Sequence, residues 1–93
     1  MLKIEFTNQF KKDYKIAVIR GCDISELEKI ITLLQMQEKL PEKYKDHKLN
    51  DSKMYKNCRE CHIQPNWLLI YRVYKNELIL KLVSTGSHND LFK

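Results

Sequence analysis

The chain has 93 residues, 43% of them apolar and 10% aromatic, which is enough for one packed core and excludes both a disordered chain and a second domain. Lys and Arg number 17 against 12 Asp and Glu, a net charge of +5 that favours polyanionic partners: RNA, DNA, acidic protein segments or anionic lipid. No run of 18 apolar residues occurs, the charged, alternating start is not a signal peptide, and three cysteines is an odd number, so the expectation is one cytoplasmic domain over residues 1–93 with reduced thiols and no membrane span.

Leu2, Ile4 and Phe6 alternate with polar residues and predict a short strand. Thr7 or Asn8 can cap the helix that follows, in which Phe10, Tyr14, Ala17 and Val18 recur at helical spacing; Gly21 stands where it ends. A second helix is capped by Asp23 or Ser25, with Ser25 and Glu28 spaced as a capping box. Ile24, Leu27, Ile30, Ile31 and Leu34 form its apolar stripe, and Pro41 lies past its end. Residues 41–54 are polar and charged and read as a loop of about fourteen residues, a length that often carries function. Three strands are expected next: 55–63, Trp67 to Tyr74, and Leu78 to Val83, the last two joined by a hairpin turn at Lys75-Asn76-Glu77. The middle one is apolar on both faces and belongs in the centre of the sheet. Trp67 and Tyr71 share one of its faces and read as core, and Pro65 and Gly86 as turn residues. The order β-α-α-β-β-β predicts an α+β domain, two N-terminal helices packed on one face of a mainly antiparallel sheet.

Cys58-Arg59-Glu60-Cys61-His62 matches the pattern of c-type haem attachment and part of a zinc site. Neither is expected. Haem attachment implies export, structural zinc takes four ligands where this segment offers three, and strand alternation sends Cys58 and Cys61 to opposite faces. The same alternation puts Cys61 and Ile63 in the core and Glu60 and His62 on the face the helices leave open.

The three histidines, His47, His62 and His88, come from three separate segments. RNA cleavage needs a base for the 2′-hydroxyl, an acid for the departing 5′-oxygen and cations for the extra phosphorane charge. Imidazole titrates near neutral pH and serves either proton transfer, and the chain lacks an acidic cluster of the kind that holds two Mg²⁺ ions. His88 is the candidate acid. His62 or His47 is the candidate base, oriented by Glu60 or Asp46. Lys45, Lys48, Lys53 and Lys56, with Lys43, cluster in one loop and strand start and are candidate phosphate contacts whose binding weakens with salt. Phe92 lies beyond the sheet, where it can stack on RNA or cover the site.

Tyr44-Lys45-Asp46-His47, the run from Arg59 through Pro65-Asn66-Trp67 to Tyr71, and Thr85-Gly86-Ser87-His88-Asn89-Asp90-Leu91-Phe92 together resemble the YafQ branch of the RelE superfamily of bacterial toxins, over essentially the whole chain. The resemblance implies a RelE-like fold and a metal-independent endoribonuclease that cuts mRNA in the ribosomal A site and is neutralised by a DinJ-like antitoxin. It also implies catalytic roles for His47, His62 and His88 and an essential terminal aromatic at Phe92. Asn66 stands where the family often has a catalytic Asp, and Ser84 where it often has Arg. Asn keeps hydrogen bonding but loses charge and basicity, and the phosphate charge would fall to Lys81, Arg59 or Arg72. The alternative is a module that occupies RNA or the ribosome without cutting.

Overall fold

The structure, a computed structural model, describes residues 1–49 and 53–92. Strand β1 (Lys3–Phe6) leads into helix α1 (Asn8–Ile19), capped by the Thr7 side chain, which accepts from Phe10 N–H. Phe10 and Ala17 are its buried residues; Val18, expected in the same stripe, is 51% exposed because it lies about 100° round the helix from Ala17, at the stripe's edge. Gly21 takes φ +77°, the left-handed conformation that ends a helix without a Cβ clash.

Helix α2 (Ile24–Gln35) starts at Asp23, whose carboxylate accepts from Ser25 N–H. The Ser25–Glu28 capping box does not form, because the helix begins at Ile24 and both residues already lie within it. Of its expected stripe, Leu27, Ile30 and Leu34 are buried, and Ile24 and Ile31 pack half-buried at the margin of the core.

The stretch 41–54 holds more structure than a loop: a 3-10 turn at Glu42–Tyr44 and a two-residue strand β2 (His47–Lys48), while its residues 50–52 lie outside the described residues. Lys45, at φ 49°, makes the left-handed turn that joins them. The next strand, β3, spans Arg59–Gln64 and not 55–63, since residues 54–57 form a turn with Asn57 at φ 63°. Strands β4 (Trp67–Tyr74) and β5 (Ile79–Gly86) complete the sheet, and a one-turn helix α3 (His88–Leu91) follows. Gly86, expected in a turn, is the last residue of β5 and pairs with Leu68.

The sheet has five strands in the order β1-β5-β4-β3-β2. The β2–β3, β3–β4 and β4–β5 pairs are antiparallel; β1 runs parallel to β5, with Lys3 opposite Ile79. This is the expected α+β architecture with one added edge strand, and β4 sits at its centre. A register shift between Ile70 and Tyr71 leaves Val83 as an extra residue in β5. It resets the side-chain phase so that Gly86 shares a face with Leu68.

The face under the helices carries the main core, in which Phe10, Leu27 and Ile30 meet Cys61, Trp67, Leu69, Tyr71, Leu80 and Leu82. Trp67 and Tyr71 are thus core residues, as expected. The other face is not open. Leu68 and Ile70 pack there against Tyr55, Cys58 and Leu91, with Leu49, Val83 and Phe92 at the margin. The turn before β3 and helix α3 therefore roof the second face.

Candidate active site

Alternation and register decide which groups can meet. His47 pairs with Glu60, and His62 with Leu68, which pairs with Gly86, two residues before His88. These residues lie on the second face, where α3 also sits. Arg59 and Lys48 pair with each other on the opposite face.

The Glu60 side chain is 4% exposed, with its Oε1 3.6 Å from His47 Nε2 and 3.4 Å from His62 Nε2. The two rings lie 6.4 Å apart. A carboxylate sunk beneath two imidazoles stabilises positive charge on either, and neither ring has to leave its place to exchange that support. His47 Nδ1 is 2.7 Å from the Lys45 carbonyl oxygen. That oxygen only accepts, so Nδ1 carries the hydrogen and the neutral ring keeps its lone pair on Nε2.

Asp46 is committed elsewhere. Its two oxygens accept from Arg59 Nε at 3.2 Å and Nη2 at 3.1 Å, and Oδ1 also accepts from the Tyr71 hydroxyl. This fork ties the segment before β2 to the core-facing side of β3 and β4 and so sets where His47 stands. It leaves Glu60, not Asp46, as the carboxylate beside the imidazoles, and it takes Arg59 out of reach of a phosphate on the histidine face. Burial, and then the bond to Asp46, push the Tyr71 phenol well above its usual range, so it remains a neutral donor.

His88 is the exposed first residue of α3, and its ring centroid lies 4.9 Å from that of Phe92. Phe92 meets Tyr55 edge-on at 5.6 Å, and Tyr55 donates to the Leu91 carbonyl. Phe92 therefore covers the small second core and at the same time backs the His88 ring.

Among the candidate cations, Arg72 and Lys81 pair across β4 and β5, and both lie over the Tyr74 ring, at 4.4 and 5.8 Å. Alternation puts them on the histidine face. Lys48, Lys56 and Arg59 line a cleft of about 830 Å³ with Leu34, Tyr71 and Val73, on the helix side of the sheet. Lys45 and Lys53 are exposed. Asn66 is exposed in the β3–β4 turn and lines a second cleft of about 390 Å³ with Asp13, Arg20, Gly86, Ser87 and Asp90, apart from the Glu60 pair. Ser84 is 2% exposed; its hydroxyl donates to Asp13, and Asp13 also accepts from Thr85 N–H at 3.1 Å.

Three groups in this neighbourhood escaped the sequence reading. Asp13 had no local signal, because its role is to cap the edge of β5 just beyond the point where β1 ends at Leu82. Ser87 and Asp90 did carry one: their spacing is that of a capping box, and the box forms. Tyr55, expected in a strand, roofs the second face from a turn. Among the described residues, no group of three or more His, Cys, Asp or Glu side chains is gathered as a metal site. Cys58 and Cys61 fall in separate cores, as alternation required. No helix among those residues is long and apolar enough to cross a membrane.

The model of a family described as "Bacterial toxin of type II toxin-antitoxin system, YafQ" matches residues 2–93. The mRNA interferase toxin YafQ of Escherichia coli (strain B / BL21-DE3) is 40% identical over 90 residues, 96% of this chain and 94% of that one. Among solved structures, a metal-bound toxin from Helicobacter pylori superposes with a TM-score of 0.91 at 44% identity, covering 99% of this chain and 100% of its own. A chain of the E. coli DinJ–YafQ complex superposes with a TM-score of 0.87 at 38% identity, covering 100% of this chain and 100% of its own.

Proposed function

Since the chain belongs to the YafQ family of type II toxin–antitoxin toxins, we propose that it is an endoribonuclease that cuts mRNA on the ribosome by acid–base catalysis. The observation that carries this reading is the buried Glu60 carboxylate between the His47 and His62 imidazoles, on the sheet face that also bears His88 and Phe92.

His47 is the general base. Its Nδ1 hydrogen is held by the Lys45 carbonyl, which leaves the Nε2 lone pair to take the 2′-hydroxyl proton. Glu60 then faces an imidazolium it stabilises, and His62 shares that carboxylate and steadies its position. The 2′-oxygen attacks the adjacent phosphorus, the bond to the 5′-oxygen breaks, and His88 gives that oxygen its proton. The products are a 2′,3′-cyclic phosphate and a 5′-hydroxyl end. Phe92 backs the His88 ring against the second core. With Arg59 bound to Asp46 and Ser84 bound to Asp13, the cations left for phosphate charge on this face are Arg72 and Lys81. Lys45, Lys48, Lys53 and Lys56 contribute electrostatic attraction to the RNA backbone, and Asn66 hydrogen-bonds from its turn. The ribosome supplies what a chain this small lacks, a message held in register with the site. A DinJ-like antitoxin, the kind of partner that E. coli YafQ has in its complex, neutralises the toxin. The one-piece domain over residues 1–93 and a cytoplasmic location belong to the same reading.

The buried Ser84 favours one alternative, a toxin that occupies the ribosome without cutting, because no guanidinium stands where the family often has one. Primer extension on a reporter mRNA in a bacterial cell-free translation reaction separates the two. New 5′ ends at codon-spaced positions, reduced about 10²-fold or more by His88→Ala, are the expected result. Arrested translation with an intact message would replace the nuclease by the occluding module.

A further inference from the structure

Helix α3 has four residues, His88–Leu91, too few to hold a helical turn unaided. Its C-terminal side is anchored by the buried Leu91 and by the Tyr55 hydroxyl on the Leu91 carbonyl. Its N-terminal side, which carries His88, is held by a capping box between Ser87 and Asp90 that Arg20 joins. Asp90 Oδ2 accepts from Ser87 N–H at 2.9 Å and from Arg20 Nη1 at 2.7 Å, while the Ser87 hydroxyl accepts from Asp90 N–H. A Cβ on Gly86 would lie 3.1 Å from both Asp90 Cβ and Oδ2, so a side chain there would push the Asp90 carboxylate aside by a few tenths of an ångström. Arg20 caps α1, and seven residues before it, on the same helix face, Asp13 accepts from Ser84 and from Thr85 N–H. One face of α1 thus grips the Ser84–Asp90 segment at both ends.

We propose that Asp13 and Arg20 are positioning residues, and that α1 acts through them, Asp90 and Ser87 to hold His88 and Phe92 in the geometry that cleavage needs. This rests on the reading of His88 as the proton donor. In place of a guanidinium on the phosphate, the residue at position 84 serves as an anchor for the catalytic segment.

The test uses Arg20→Gln and Asp90→Asn, singly and together, with Arg20→Lys as the conservative form. Arg20 is half exposed, so its replacement leaves the core intact. Asp13→Asn is left aside because it also uncaps buried backbone at Thr85. Cleavage is followed in the translation reaction as kcat and KM. The nuclear Overhauser effect between the His88 and Phe92 rings is measured on the isolated proteins. The expected result is a kcat lower by about five- to tenfold, the scale of a lost helix cap, with KM changed by less than about twofold. The double variant should be no worse than Asp90→Asn alone, since both changes break one contact, and Arg20→Lys should recover most of the rate. The ring–ring effect should weaken in the same variants. Full kcat in both single variants, or a double variant that falls by the product of the singles, would overturn the proposal. If the unaltered chain leaves mRNA intact, the nuclease reading fails, and the ring contact alone decides: its loss in both single variants supports the grip of α1 on α3, and its persistence removes it.

Discussion

Glu60 shows how much one side chain can depend on strand phase. A shift of one residue in β3 would bury His62 and leave the carboxylate under the helices; in the register observed, the acid lies between two imidazoles. The cysteines follow the same phase. Burial pushes the Cys61 thiol up to about 12 and also raises that of Cys58, whereas Cys22 is partly exposed. A thiol-specific colorimetric reagent should therefore titrate one of the three thiols rapidly in the native protein and the other two on unfolding; three fast thiols would contradict the burial. Asp90 makes a pH prediction. Its hydrogen bond to Arg20, and then those to Ser87, hold its carboxyl below the ordinary 3.8. A group depressed in the folded state contributes stability that is complete above 3.8 and is lost only as the pH falls through its lower folded value. Amide protection of Leu91 and Phe92 should then be constant from about pH 5 to 8. Any change in cleavage over that range belongs to the substrate-facing groups and not to loss of the α3 cap.

At the scale of elements, β2 is the smallest piece with the largest effect, because it carries His47 on a two-residue strand. Its position comes from the preceding residue, since Asp46 is forked by Arg59 and held by Tyr71. Arg59→Ala should cost about 1–2 kcal/mol, as the pair is only partly buried, and should lower cleavage further by freeing the edge strand. Urea unfolding and the cleavage assay check the two effects separately. Helices α1 and α2 and strand β4 were legible in the sequence because their apolar periodicity is strong and their partners are the common core. Strand β2 was not, for its two residues have no period, and its existence depends on a fork made across 13 residues of chain. Residues 55–57 look like strand in the sequence because Tyr55 is apolar and alternates, yet Tyr55 is buried from a turn, as part of the roof of the second face. The three histidines and Glu60 were legible as residues; their division into a carboxylate-linked pair and a separate ring on α3 was visible only once the register was known.

At the scale of the molecule, the sheet has a core on each side: a large one under the helices and a small one under α3 and the turn before β3. The small core couples stability to the site, because Leu91 and Phe92 belong to it and His88 stands on the same turn of helix. Strand β1 covers one edge of β5, and Leu2 just before it is part of the large core. Removing residues 1–6 should therefore abolish the cooperative thermal transition, not merely lower its midpoint, and leave β5 with a bare edge. A two-state melt in that truncated chain would show that β1 is dispensable.

The parallel pairing of β1 with β5 also orders events in time. A nascent chain emerges with β1 first, but Lys3 has no partner until Ile79 has been made, and His88 and Phe92 follow later still. Strand β4 and part of β5 are therefore made before β1 has a partner and before the second face can be roofed. Until then β5 has one edge unpaired, and the second face lacks the Leu91 and Phe92 that cover it.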